Sequence, residues 1–419
     1  MRRNLVLVAE TYPFSGAAEN TFIDPEIRHL TAAFEQVIVA PERLEGSGRL
    51  EEPGITVDES LAAALQHSRV ALFLRACLNP TFLGELLAHP WILLHWVALW
   101  RLALFTSRAR IAGEWLRDML EQRGLRPDET VIYTFWLFHS AHGFAALKTA
   151  QPDLRVVSRA HGADLYEARH MPAYIPFRAQ TMAWIDAVYP DSDAGTAYLR
   201  SAWPAEAGRI ATARLGTEDP GWHTAASPDG RLRIVSCSSL TPVKRVGLLV
   251  EGITELARRR PNLVIEWNHF GSGPLAEEVR SLACRLPASQ VNWKLHGHVP
   301  ASTVLAWYRD KPVDVFINVS TSEGTPVSIM EAISCGIPVV ATAVGGNREI
   351  VDESNGIALA ADPTSAEIAS ALAAIASAPD LRKGSRALWR RRYAAGENFP
   401  AFARTLRDDG PADSAGEQS

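Results

Sequence analysis

Two carboxylates, Glu323 and Glu331, bracket the short segment Gly324, Thr325 and Pro326. Phe316 to Ser320 reads as a short apolar strand, and Thr325 can cap a helix whose first position suits Pro326. Gly336 then ends that helix before a new strand from Ile337 to Ala341. A helix start presents unpaired N–H groups and the positive end of its dipole, so an anion such as a diphosphate is favoured at 324–326. Glu323 before the helix and Glu331 one to two turns inside it then reach hydroxyl groups on either side of that anion. A nucleotide sugar has this layout. The alternative reading is a surface helix with two solvated glutamates.

The elements that must position these residues follow from pattern and composition. The chain has 419 residues, 47% apolar and 21% charged, which is ordinary for a soluble protein and long enough for two cores. A net charge of −5 gives no overall positive field for nucleic acid, and the runs Arg258–Arg260 and Arg390–Arg392 read as solvated helix faces. Cys77, Cys237, Cys284 and Cys335 are scattered without metal-site spacing, which fits buried free thiols in a reducing cytoplasm. The apolar run Leu5–Ala9 is too short for a leader and reads as a first strand, so no secretion is expected.

Short apolar runs at Leu5–Ala9, Val37–Ala40, Val131–Tyr133, Arg155–Ser158 and Ala187–Pro190 alternate with helical patterns. The rhythm returns at Arg233–Cys237, Leu263–Trp267, Val291–Leu295, Val313–Ile317 and Pro338–Ala341. That alternation predicts two doubly wound α/β domains with parallel sheets, facing a cleft. The expected boundaries are an N-terminal domain 1–217, a Gly/Pro-rich linker 218–230, a second domain 231–388, returning helices 389–408 and a disordered tail 409–419. Residues 86–105 are the most apolar stretch, but Pro90, His95 and Arg101 interrupt it, so it is no membrane span. It is either a buried helix or a surface that docks on lipid, where tryptophans followed by Arg101, Arg108 and Arg110 suit an interface.

The run from Glu323 to Glu331 resembles the donor-binding signature of the retaining glycosyltransferases of family 4, which have the GT-B fold. The resemblance spans nearly the whole chain, most closely 231–358. It implies that Glu323 contacts the transferred sugar, that Glu331 contacts the ribose, and that Gly324, Thr325 and Pro326 lie at the donor. It gives Lys244 a place on the diphosphate, while Ser239 stands where the family has an arginine, and Arg245 points differently. Gly271 and Gly273 line the nucleotide pocket on this resemblance, and Leu295–Pro300 lies near the base. Ala343–Val351 with Asn355 and Gly356 resembles the closing strand and turn, and Leu388–Tyr393 with Glu397–Arg404 the terminal helices that cross back. In the first domain His161, before Gly162, is similar to a cleft histidine beside the sugar. Gly16 matches a glycine on the diphosphate side, and Glu19 is either an acceptor contact or a helix-start carboxylate.

What the resemblance implies is a cytoplasmic enzyme, at the inner face of the membrane if 86–105 touches lipid. It would move a sugar from a nucleoside diphosphate, of UDP or GDP type, to a glycan or lipid-linked acceptor, with no metal and no nucleic acid. Two alternatives stand beside it: a non-catalytic scaffold of the same fold, suggested by Ser239, and an epimerase or phosphorylase.

Overall fold

The computed structural model describes residues 2–14, 19–46, 48, 53–375, 378 and 380–408. They form two compact units, one of 1–215 with 398–419 and one of 216–397.

In the first unit, strands β1 (Asn4–Ala9), β2 (Gln36–Pro41), β3 (Ile55–Val57), β4 (Thr130–Thr134), β5 (Arg155–Ala160) and β6 (Ala187–Pro190) build one sheet in the order β3-β2-β1-β4-β5-β6. Its ladders are all parallel. Helices cover both faces of such a sheet, so its central strands are apolar on both sides. Val6 and Val8 join Ile38 and Ile132 in one core, while Leu5 and Leu7 join Val37, Val39 and Phe402 in another. Phe402 lies on the helix Ala395–Arg407, whose last part belongs to this unit. It packs beneath a fully buried ion pair: Arg159 contacts Glu26 at 3.0 Å, donates to Tyr133 Oη at 2.8 Å, and stands 4.1 Å from the Phe402 ring centroid.

The second unit repeats the plan with β7 (Leu232–Cys237), β8 (Ile265–Phe270), β9 (Val291–Leu295), β10 (Val315–Asn318), β11 (Val339–Thr342) and β12 (Gly356–Leu359). The order β12-β11-β10-β7-β8-β9, again parallel, carries the same reversal of winding as the first sheet. In open parallel sheets ligands bind outside the carboxyl ends of the strands at that reversal, here the ends of β7 and β10.

Several expectations shift. The segment 218–230 is no free linker: Thr224 N–H donates to Cys335 O at 2.9 Å, and Ser227 N–H to Asp314 at 2.8 Å, so it is stitched onto the second unit. The helix Leu381–Arg392 also stays with that unit, and only residues from Asn398 onward join the first. The tail 409–419 lies outside the described residues. Only Cys335 is buried; Cys77 and Cys284, at helix ends, are exposed. The stretch 86–105 is not one element. It comprises the end of the helix Pro80–Ala88, a 3-10 turn Pro90–Leu94 and the start of the helix Trp96–Arg123, broken at Pro90 and His95. No single described helix is long and apolar enough to cross a membrane.

Candidate functional site

Lys244 and Glu323 lie 79 residues apart in the chain and meet in space. Lys244 ends a 3-10 turn, Pro242–Lys244, that follows β7, and Glu323 lies in the loop that follows β10. The Lys244 ammonium donates to both Glu323 oxygens, at 2.7 and 2.8 Å. Asn318, the last residue of β10, donates from Nδ2 to Glu323 Oε1 at 2.9 Å and accepts from Ser320 N–H at 3.0 Å. That turn fixes the course of the loop and the rotamer of Asn318 together. Asn318 and Glu323 are buried and Lys244 is partly buried, so the pair sits in a low dielectric with its partners satisfied.

The helix Val327–Ser334 begins four residues after Glu323. Pro326, not Thr325, occupies its N-cap, with no side-chain cap. Proline offers no capping oxygen, so the first helical N–H groups, at Val327 and Ser328, keep no intrahelical partner and face the end of the loop. Gly324 O accepts from Gly346 N–H at 3.1 Å. A Cβ at Gly346 would collide with Gly324 O, and one at Gly345 with Glu323 O. The turn after β11 is therefore pressed against the Glu323 loop, and the loop is held from behind.

Glu331 lies further along the same helix, and its carboxylate has no hydrogen-bond partner among the described residues. Burial pushes it up to about 7. It sits near Cys237 and Tyr308: burial pushes the ionisation of both upward, the charge of Glu331 adds to it at Cys237, and Cys237 and then Glu331 add to it at Tyr308. A crowded carboxylate without a donor is poised to accept hydrogen bonds from hydroxyl groups.

Gly271 has φ 131°, and side chains at Gly271 and Gly273 would run into Ser238 O and Leu240 O. Both glycines let the β8 exit lie against the β7 exit, so they serve loop packing as well as any ligand. Beyond them His296 stacks on Phe270 at 4.3 Å and shares a hydrogen bond with Asn268 at 2.8 Å. Ser239 is exposed, and its hydroxyl shares a hydrogen bond with that of Thr241 at 3.4 Å. Arg245 does not fill the gap. Its guanidinium is committed to Val319 O at 2.7 Å, Ala361 O at 2.7 Å and Asp362 at 2.9 Å.

In the first unit, His161 follows β5 and lies among Phe22, Phe135 and Trp136, with ring centroids 6.4, 4.5 and 4.8 Å away. Neither ring nitrogen has a hydrogen bond, and Nδ1 stands 3.9 Å from Asp164. Burial alone would raise Asp164, but the His161 ring and the N–H groups of Leu137 and His161 hold it below its ordinary value. Glu19 proves to be an internal anchor. It accepts from the N–H groups of Glu10, Thr11 and Tyr12 and from Trp136 Nε1 at 2.9 Å, which uses up the oxygens an acceptor would need. Gly16 lies outside the described residues.

Sequence reasoning passed over Asn318 and a cavity of about 760 Å³ at the carboxyl ends of β1, β2 and β4. Glu10, Glu42, Arg43, Arg69, Arg108 and His139 line it. Burial pushes Glu42 up to about 7, against the lowering effect of Ser140 and Arg108, and pushes His139 down to about 3. The 3.3 Å contact between those two is thus made by a neutral imidazole. Scattered polar residues with no shared motif left no signal for this cavity in the sequence. Among the described residues no cluster of His, Cys, Asp or Glu could hold a metal ion.

Residues 231–378, which contain Lys244, Glu323 and Glu331, match the family described as glycosyl transferases group 1. The group 1 segment holds every strand of the second sheet and the whole of the Lys244–Glu323 site. WcaL of Salmonella typhimurium, provisionally named a colanic acid biosynthesis glycosyltransferase, is 28% identical over 201 residues, 46% of this chain and 48% of WcaL. The chain thus covers about half the length of the curated relatives it first matches. The lipopolysaccharide outer core galactosyltransferase WaaB, in its apo form, superposes with a TM-score of 0.68 over 97% of this chain and 99% of its own, at 14% identity. Anabaena HepE in complex with UDP gives 0.62 over 97% and 100%, at 16% identity. These likenesses show the fold to be GT-B, and the two reversed parallel sheets agree with it.

Proposed function

We propose that the protein is a retaining glycosyltransferase of cell-surface polysaccharide biosynthesis. It takes a sugar from a nucleoside diphosphate of UDP or GDP type and adds it to a hydroxyl of a glycan or lipid-linked acceptor. The observation that carries the proposal is the Lys244–Glu323–Asn318 cluster beside an uncapped helix start, with the partnerless Glu331 further along that helix. The names of WcaL and WaaB favour a polysaccharide or lipopolysaccharide product.

On this reading the diphosphate lies over the N–H groups of Val327 and Ser328, and Glu331 accepts from the ribose hydroxyls. Lys244 exchanges part of its bond to Glu323 for a phosphate oxygen, and the freed carboxylate oxygen takes a sugar hydroxyl. As the C1–O bond to the β-phosphate breaks, the lysine and the helix start stabilise the growing charge without a metal. The acceptor oxygen bonds C1 on the face the phosphate leaves, and its proton passes to the departing phosphate oxygen. For the acceptor, the favoured seat is the first-unit cavity lined by Glu42 and His139. His161, with two unpartnered ring nitrogens, is the candidate in that unit for contact with a sugar hydroxyl. The place of action is the cytoplasm, at the inner face of the membrane if residues 86–105 touch lipid.

One observation favours a second reading. Ser239 brings no charge to the diphosphate and Arg245 is held elsewhere, as a non-catalytic scaffold would tolerate. Incubation with UDP- and GDP-sugars and candidate acceptors, with NMR of the product, separates the two. Transfer with the donor's anomeric configuration supports the proposal, and inversion contradicts it. Nucleotide binding without transfer to any acceptor favours the scaffold.

A further inference from the structure

The first unit leaves an apolar face uncovered. Twelve large apolar side chains are exposed among the described residues, and nine of them fall between Val70 and Val97. On the helix Arg69–Cys77, Val70 and Leu74 share one stripe with Leu78 just beyond it, while Leu72 and Ala76 point inward. The helix Pro80–Ala88 repeats this, with Leu83 and Leu87 out and Phe82 in. Leu93, Leu94 and Trp96 continue the outward set, and Trp96 is 74% exposed. The inward residues of all these elements, among them Ala76, Phe82, Ile92 and Leu102, already fill a core of their own. The outward leucines therefore have no work inside the fold, and a contiguous patch of this kind marks a contact surface.

Charge narrows the occupant. From His67 to Glu114 stand five arginines and two acids, of which Glu114 pairs with Arg110 at 2.8 Å and leaves four arginines and one acid, in a chain whose net charge is −5. The acid, Glu85, is buried, accepting from Tyr174 Oη at 2.9 Å and Phe177 N–H at 3.3 Å, so it puts no charge on the face. Arg69 and Arg75 are exposed on the same helix as the Val70–Leu74 stripe. A second copy of this chain on this face would bring these arginines against their own symmetry mates, which opposes a two-fold contact. The two nine-residue helices, Arg69–Cys77 and Pro80–Ala88, meet at 79°, too short and too sharply bent to cross a bilayer as one rod. Leucines and a tryptophan flanked by arginines suit a helix pair lying in the headgroup region of an anionic membrane.

We propose that this face docks the first unit on a bilayer that contains anionic lipid, through Leu74, Leu78, Leu87, Leu94 and Trp96 with Arg69 and Arg75 at its rim. The docking deepens the lipid-linked acceptor reading above and rests on it for its purpose. Arg69 also lines the first-unit cavity, so an acceptor anchored in the bilayer would present its head beside that opening.

The test is co-sedimentation of the full-length protein with vesicles of phosphatidylcholine alone or mixed with phosphatidylglycerol, without nucleotide. Two variants are compared: the triple Leu74→Glu, Leu87→Glu, Leu94→Glu, and the pair Arg69→Gln, Arg75→Gln. All five positions are exposed, so melting temperatures should match the parent. The parent is expected to sediment with the mixed vesicles and to be released by salt. The triple variant should lose binding by about tenfold or more, and the arginine pair should weaken it by several-fold. No binding of the parent to mixed vesicles, equal binding to both vesicle types, or binding unchanged in the triple variant overturns the proposal. So does a parent dimer in light scattering that the triple variant dissociates, because the face then seats a second copy. Nucleotide binding measured in parallel keeps this outcome separate from the transferase reading.

Discussion

Replacing Glu331 with glutamine should stabilise the protein, and only at higher pH. The carboxyl is pushed from its ordinary 4.5 to about 7 by burial. The unfolded chain therefore gives up this proton near 4.5, and the folded chain holds it until about 7. Between those values the unfolded state binds fewer protons, so stability falls as pH rises, and the full cost is present above 7. That shift corresponds to about 3 kcal/mol. Glu331→Gln removes a charge that the fold strains to accommodate, so urea unfolding at pH 8 should show a gain of about 3 kcal/mol that vanishes near pH 4. Glu42, also raised to about 7, contributes the same slope to both proteins, so the difference between them isolates Glu331. The same carboxylate, once it accepts from ribose, favours the ionised form, so nucleotide affinity in the parent should fall about tenfold per pH unit below 7. In the variant affinity should be weaker and flat with pH. Equal stability of variant and parent at pH 8, or a gain of the same size at pH 4, would refute the reasoning.

Lys244→Ala leaves the buried Glu323 with Asn318 and no cation, so a loss of about 2–4 kcal/mol is expected in denaturant melts, largely recovered by adding Glu323→Gln. Recovery of stability without recovery of nucleotide binding would separate the two roles of the lysine. Ser239→Arg places a guanidinium where the side chain is exposed and nearly free, and calorimetry should show nucleoside diphosphate affinity rising about tenfold. Arg159→Met strands Glu26 in the core of the first unit, and a loss of about 3–5 kcal/mol is expected in thermal or urea unfolding.

The sheets were legible because a parallel strand covered on both faces must be apolar throughout, and ten such runs stand out. Two of the four edge strands, β3 and β12, were not. β3 is three residues long, and β12 opens on a glycine and alternates apolar with small residues, as edges with one neighbour permit. The two glutamates and Lys244 could be read because spacing along a loop and helix survives in sequence. Asn318 could not, since its role depends on a turn that aims it at Glu323, and in the sequence it passes for one more strand residue. Thr325 was read as a cap from its type, but the helix starts one residue later and leaves Pro326 at the boundary. Glu19 was ambiguous for a different reason. Its carboxylate binds the loop after β1 and Trp136, a tertiary arrangement that no local pattern reports. The apolar stretch at 86–105 divides between both expectations, with Ala98, Leu102 and Phe105 in the core and Leu87, Leu94 and Trp96 in solvent.

The central claim is that the site around Lys244, Glu323 and Glu331 binds a nucleoside diphosphate, and a melting-temperature titration with UDP, GDP and ADP tests it most directly. At about 100 times its dissociation constant, a bound nucleotide should stabilise the protein by roughly 2.7 kcal/mol. The account predicts such a shift for one of UDP or GDP, absent in Lys244→Ala and reduced in Glu331→Ala. No shift with any nucleotide, or a shift that both variants retain in full, would contradict it.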